Sequence, residues 1–448
     1  MRRTVVVAAL LTLAACGGSP DPHKPTLDTA AFDTALKALI EKPSAQRTIA
    51  DFDVTHDQRV DANDLSAVDG LVARAKVTAE TRGIDASTAA GIYEGGTFIL
   101  ERDASLPKSA DTAAARAFVI EAQWLADQAR FAAVVDWEPD ALVVGSLARH
   151  IPGYNGESMS PPTLCLAIDT LDLLSFKRAG LPAVAVTDLD FTLWQGDISN
   201  VFLAVLADKK LAKPEANAAV IELLVTISGI DAKKVREASV HDNLRTVYER
   251  ATDTTLPKEQ RVSIKDAFFL TSKVIAGLEV SVIEEAAQVV LTKGAPGAPS
   301  IMSRFHADAS GCGTLAVLGK LKTRGIEVYF LSATLDVLAK AAARAVGIPE
   351  DHAIGSALEV VDGRYTGQVV TSLYEIKGPV LRQWVRVPPL MVFGDSPVSD
   401  LPMMIEAVGT GFMVNPRQEL LDKDKEVAQG RLVQVNFTPG DRRADARR

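Results

Sequence analysis

Three short apolar runs constrain this chain most: "PAVAVTD" ending at Asp188, "IEVYFLSA" ending at Ala333 and "PLMVFGDS" ending at Ser396. Each closes in or beside polar residues, and from Ala183 onward such runs alternate with helix-patterned segments. That alternation predicts an α/β domain built on a parallel sheet. Ligands of open α/β sheets bind beyond the carboxyl ends of the strands, so the polar endings mark the expected site. Between the first two runs, residues 193–311 read almost wholly as helix. An insertion of that size at the ligand-binding edge predicts a helical cap acting as a lid.

A chain of 448 residues exceeds one ordinary domain, and its 47% hydrophobic and 23% charged residues describe a globular protein with ample core. A net charge of -9 and a pI near 5.3 argue against general binding to nucleic acid or anionic membrane surfaces. Small ligands or other proteins remain as partners. The first residues form a secretory signal: "MRR" is its positive region, "TVVVAALLTLAA" its apolar region, and small residues lead to Cys16. "LAAC", Leu13 to Cys16, resembles a bacterial lipobox; residues 1–16 would then be the signal peptide, with Cys16 acylated as the first mature residue. Residues 17–26 would be a flexible tether, and the protein would be lipid-anchored at the cell envelope, in the periplasm or at the outer membrane. The alternative is an ordinary signal peptide with an incidental cysteine. Cys165 and Cys312 either pair in that oxidising compartment or stay buried and free.

Residues 27–150 are mainly helix-patterned, and the Gly, Pro and Ser-rich stretch from His150 to Thr163 marks a boundary. Within this region "DVTHDQRVDAND" places Asp53, Thr55, Asp57, Asp61 and Asp64 at loop positions one, three, five, nine and twelve. This is the spacing of a calcium-binding EF-hand loop, and the stretch resembles that of dockerin modules, with Leu65 following. It departs from the pattern at Thr55, at Gln58 in place of glycine and at Asp64 in place of glutamate. A calcium site of structural role and a solvated acidic turn before a helix are both open. The tail, residues 438–448, is polar and basic and is expected to be disordered.

The chemistry begins with Asp188 and Asp190, two carboxylates one residue apart at a strand end. Asp188 can attack a phosphoryl group as nucleophile, while Asp190 protonates the leaving oxygen and then deprotonates the attacking water. Repulsion between neighbouring carboxylates raises one pKa and eases the proton work. Mg²⁺ would let an anionic nucleophile approach an anionic phosphate, with Asp188, Asp190, Asp395 and Asp400 as its candidate ligands. Ser332 offers a hydroxyl to a phosphate oxygen, and Lys377, just before Pro379, offers an ammonium at a helix start.

Together these residues resemble the haloacid dehalogenase superfamily of phosphohydrolases, in its phosphoserine phosphatase and phosphorylcholine phosphatase-like branch. Asp188, Asp190 and Thr192 meet DxDxT, Ser332 is the motif II serine, Lys377 the motif III lysine, and Asp395 and Asp400 the GDxxxxD form of motif IV. The resemblance implies a Rossmannoid core over residues 181–192 and 312–437, with residues 193–311 as the cap after motif I. It implies hydrolysis of a small phosphomonoester through an aspartyl-phosphate. Asp197, nine residues after Asp188, stands where phosphoserine phosphatases carry a substrate-binding glutamate. Thr192, Trp194 and Asp197 are the expected substrate contacts, Trp194 either as an aromatic face for a quaternary ammonium or as packing. Phosphorylcholine, phosphoethanolamine or a phosphoserine-like ester follows as substrate class. The competing expectation is an envelope-tethered calcium-dependent binding protein whose phosphatase-like domain is incidental.

Overall fold

The computed structural model describes residues 38, 42, 46–54, 56–70, 93–94, 97–98, 123–133, 158–173, 180–374 and 376–438. Cys16, the signal, the tether and Thr55 lie outside the described residues, as does the tail beyond Thr438.

The first apolar run becomes strand β2 (Val184–Thr187), after the short edge strand β1 (Ser158–Met159). β2 is buried on both faces, as a central parallel strand covered by helices must be. The second and third runs become β3 (Glu327–Leu335) and β6 (Met391–Gly394), which flank β2 and pair with it in parallel. Between them in sequence come β4 (Ala353–Val361) and β5 (Arg364–Thr371); β7 (Thr410–Val414) and β8 (Val433–Val435) follow. The sheet order is β1-β8-β7-β6-β2-β3-β4-β5, parallel throughout except for the β4–β5 hairpin. This mixed α/β fold, with a mostly parallel sheet, is the class that the alternating pattern predicts.

Register sets the site. Thr187 pairs with both Phe330 and Phe393, so Asp188, Ser332 and Asp395 leave three adjacent strands at one edge within two residues of a common level. The insertion after β2 is helical, as its pattern predicts: α2 (Ile198–Asp208), α3 (Asn217–Leu224), α4 (Ala232–Glu237), α5 (Val240–Thr252), α6 (Ile264–Val274) and α7 (Val280–Thr292). α1 (Pro161–Thr170), by contrast, precedes the sheet's central strand and belongs to the core. Serines cap two cap helices locally, Ser239 accepting from the Asp242 amide and Ser263 from the Asp266 amide.

The β4–β5 hairpin breaks the alternating strand-helix pattern, although its turn carries a signal. Asp362 and Gly363 both have positive φ, 49° and 73°, as a two-residue primed turn requires, and Asp-Gly is a preferred pair for it. The hairpin also grips the cap. Tyr365 accepts from the Gly277 amide at 2.6 Å and donates to the Leu278 carbonyl at 3.0 Å, while Gly363 accepts from the Val280 amide at 3.0 Å. The insertion is therefore held at its connections to β2 and again between α6 and α7.

The N-terminal region packs on the core through helix 123–132. The fully buried Trp124 donates its indole N–H to Glu406 at 3.0 Å, and Arg382 reaches the same carboxylate at 2.6 Å. Cys165 and Cys312 form a disulfide with Cα atoms 6.3 Å apart, tying α1 to the segment before α8 (Thr314–Thr323). Of the two expectations for these cysteines, pairing holds. The double variant Cys165→Ser/Cys312→Ser is expected to lose about 2–4 kcal/mol of stability by denaturant unfolding, because it frees a long loop in the unfolded chain. Identical midpoints for the two proteins would assign the bridge no stabilising role.

Candidate active site

Lys377 opens α9 (Lys377–Trp384), fully buried, where an ammonium must find partners. Its Nζ lies 2.7 Å from Asp188 Oδ1 and 2.6 Å from Asp400 Oδ1. Burial works against its charge, but the two carboxylates outweigh that effect and push its pKa above the ordinary value. Asp400 in turn closes the loop that carries Asp395. Its Oδ2 accepts from the amides of Asp395 at 2.9 Å and Ser396 at 3.0 Å, and Oδ1 accepts from the Ser399 hydroxyl at 2.9 Å.

Two glycines allow this close approach. A Cβ on Gly394 would sit 2.5 Å from Cβ of Asp400, and one on Gly378 would sit 2.7 Å from the Pro402 carbonyl oxygen of α10 (Leu401–Met404). The Gly-Asp of motif IV and the Lys-Gly of motif III thus serve the same loop-to-helix packing.

Asp188 continues the β2–β6 pairing, its amide donating to the Phe393 carbonyl at 3.0 Å. Burial, then the charge of Asp400, pushes its pKa up to about 6 against the opposing pull of Lys377. Asp395 is raised well above the ordinary carboxylate range by burial and by the charges of Asp400 and Asp188. One oxygen from each of Asp188, Asp395 and Asp400 lies within 4.8 Å of the others. Three carboxylates facing one ammonium leave an excess of negative charge on hard oxygen donors, a set that fits Mg²⁺. The carboxylate of Asp190, expected among the ligands, is not part of this group.

Asp190 is occupied differently. Its Oδ1 accepts from the Trp194 indole at 3.0 Å and from the Ile198 amide at 2.7 Å. Burial first, then the charges of Asp197 and Asp188, raises its pKa well above the usual value. A carboxyl whose pKa is raised, with one oxygen pinned and the group lining a cavity, is placed for general acid work. The residue after it, Phe191, has φ of 61°, and its carbonyl accepts from Nε2 of the buried His306 at 2.9 Å. That bond requires the His306 proton on Nε2; burial holds its pKa below the ordinary value, favouring the neutral ring. His306 comes from the segment leaving the cap, so the cap's exit fixes the turn between Asp190 and Thr192. A histidine this far along the chain has no local sequence pattern tying it to this turn, so only the fold reveals its role.

A cavity of about 520 Å³ opens above these groups. Asp188, Asp190, Asp395 and Ser332 line its floor, and Asp197, Ser199 and Thr334 one wall. Two expected substrate contacts are corrected. Thr192 is fully buried and donates its hydroxyl to Asp395 Oδ1 at 3.2 Å, so it positions a carboxylate. Trp194 is also fully buried, packs edge-on against Phe305 at 5.3 Å and is absent from the cavity lining. Its polar edge serves Asp190. Asp197 does reach the cavity, while its Oδ1 caps α2 by accepting from the Ser199 amide at 2.6 Å. In the cap, Arg245 pairs with Asp208 and Arg250 donates to backbone carbonyls, and neither lines the cavity.

In the acidic loop of the N-terminal region, Asp53, Asp57 and Asp64 come together within 4.8 Å, while Asp61 is not in the group. Gln58 takes a positive φ of 69° at the position where EF-hand loops carry glycine. The carboxylates close the loop on its own amides, Asp53 accepting from Asp57 and Gln58, and Asp64 from Asp61.

Residues 185–404 match the family of haloacid dehalogenase-like hydrolases. No curated protein sequence matches the chain. Similar solved structures include a protein of unknown function from Bordetella pertussis Tohama I, 22% identical, with 57% of this chain and 98% of that one covered at a TM-score of 0.36. A phosphoserine phosphatase in a phospho-aspartyl intermediate analogue form is 15% identical, covering 58% and 96% at a TM-score of 0.33. A protein of unknown function from Anaerococcus prevotii DSM 20548 is 15% identical, covering 58% and 88% at 0.40.

Trp194→Phe removes one of the two donors that favour the charged form of Asp190. The expected result is a further rise in the Asp190 pKa, so that the group stays protonated to higher pH than in the parent. A carboxyl titration followed by carbon NMR reads this directly, and an unchanged or lowered midpoint would show that the indole bond does not tune the group.

Proposed function

With a haloacid dehalogenase-like hydrolase domain over residues 185–404 as the premise, we propose that the protein hydrolyses phosphomonoesters by covalent catalysis at Asp188. The observation that carries this reading is the convergence of Asp188, Asp190, Ser332, Lys377 and Asp395 at one sheet edge, around one cavity and one buried ammonium. Asp188 attacks phosphorus, the ester P–O bond breaks, and the leaving oxygen takes the proton of Asp190. Asp190, now ionised, takes a proton from the water that attacks the aspartyl phosphate, and Asp188 leaves with inorganic phosphate as product. Ser332 donates to a phosphoryl oxygen, and Lys377 holds Asp188 in place while its charge offsets that of the phosphoryl group. Asp188, Asp395 and Asp400 would hold Mg²⁺, which when bound supplies the positive charge that lets carboxylate and phosphate meet.

A cavity enclosed by a helical cap favours small, diffusible esters. An amine-bearing ester draws support from Asp197 in the wall, with no contribution from Trp194. Export and lipid anchoring through Cys16 complete the proposal, supported by the signal pattern and by the Cys165–Cys312 disulfide, since such bridges persist in oxidising compartments.

Protein starting after Cys16 is expected to release phosphate from a panel of small phosphomonoesters with Mg²⁺ and to fall to background with a chelator. Asp188→Asn should lower turnover by at least about a thousandfold, as loss of a covalent nucleophile does in other enzymes. Folded, metal-loaded protein that releases phosphate from no ester would overturn the assignment. In cells, Cys16→Ser is expected to move the protein from the membrane fraction to the soluble one; unchanged fractionation would remove the anchor from the proposal.

A further inference from the structure

The cavity is chemically divided. Its floor is the polar sheet edge already described, whereas its roof is apolar. From the cap come Ile264, Phe268 and Phe269 of α6, and from the core Phe191, Tyr374 and Val398. Ile264 and Phe268 lie four residues apart, on one face of the helix, and Phe268 meets Phe269 edge-on at 5.3 Å. The exposures are unusual for such residues: Ile264 44%, Phe269 40% and Val398 45%. Eight large apolar side chains are exposed among the described residues, and three of them face this cavity. Scattered single apolar residues need no explanation; several converging on the mouth of a catalytic cavity mark a ligand-binding surface.

The floor receives the phosphoryl group, so the roof receives what is attached to it. We infer that the preferred substrates are phosphomonoesters whose alcohol carries a compact apolar body close to the ester oxygen. Alkyl or aryl groups and the methyl groups of a quaternary ammonium share this chemistry; a polyol does not. The inference rests on the phosphatase reading and deepens it. Ile264, Phe268 and Phe269 act on specificity, burying the leaving group's apolar surface as the ester seats itself over Asp188. Polyol hydroxyls would lose water against the same apolar side chains. Lys265 and Arg417 also reach the cavity, but both are exposed, and Arg417 sits 5.8 Å from the centre of the Phe191 ring, at the rim.

The test compares kcat/KM for three esters in the protein that starts after Cys16: 3,3-dimethylbutyl phosphate, phosphorylcholine, which has the same shape with a positive charge, and glycerol phosphate. Both apolar-bodied esters are expected to exceed glycerol phosphate by about tenfold or more, the discrimination typical of burying a few methyl groups. In Phe269→Ala and in Ile264→Ser, that ratio should fall about tenfold. Val225→Ser, at an exposed apolar position away from the cavity, is the control expected to keep it. Equal turnover of all three esters would overturn the inference while leaving the phosphatase reading intact. A preference confined to phosphorylcholine, with the dimethylbutyl ester no better than the glycerol ester, would also overturn it and assign recognition to charge. No metal-dependent release from any of the three, or from an activated aryl phosphate, would instead bring down the phosphatase reading itself.

Discussion

The candidate site depends on one buried ammonium. Lys377 has no access to water and is held between Asp188 and Asp400 at 2.7 and 2.6 Å. Removing one partner from such a buried arrangement typically costs about 3–5 kcal/mol, because the remaining charge is stranded. The lysine therefore does two things at once. It makes the approach of β2 and β6 carboxylates tolerable, and it fixes Asp188 at the cavity floor. Asp400, holding the lysine with one oxygen and the Asp395 and Ser396 amides with the other, converts that charge pair into a defined loop conformation.

Around this centre, the nearby residues divide by what they touch. Thr192 and Trp194 address carboxylates, and His306 addresses the backbone between them. None of the three faces the open part of the cavity. The open part of the cavity is lined instead by the cap, whose α6 supplies apolar side chains, and by loops at the strand ends. The β4–β5 hairpin ties the cap to the core between α6 and α7 with backbone hydrogen bonds, so the roof keeps its height above the floor. The polar floor and the apolar side chains over it come from different parts of the chain, and the proposed division between phosphoryl and leaving-group recognition rests on that separation.

Much of this was legible in the sequence. The strands at Val184–Thr187 and Met391–Gly394 are short, mostly apolar and buried on both faces, as a parallel sheet demands, and the neighbouring strand Glu327–Leu335 carries an apolar stretch from Val328 to Leu331. The chemistry-bearing residues follow those runs directly, so a strand reading places them at one edge. The β4–β5 hairpin was less legible: its strands mix exposed and buried residues, and only Asp362-Gly363 signals the turn. Residue type left Trp194 open between ligand contact and packing, because the sequence does not show which way the ring turns; the ring packs, and its N–H found Asp190.

The sequence by itself determined the α/β class, the helical insertion, and the identity and order of the groups at the strand ends. These depend on local periodicity and on spacing along one strand or turn, which a linear string records. Only the tertiary structure decided which carboxylates meet around Lys377, that Cys165 pairs with Cys312, that His306 holds the Phe191 carbonyl, and that α6 turns its apolar side chains over the site. Each of these joins residues that are distant along the chain. Their meeting is set by sheet register and by the packing of the cap, and no local pattern encodes either.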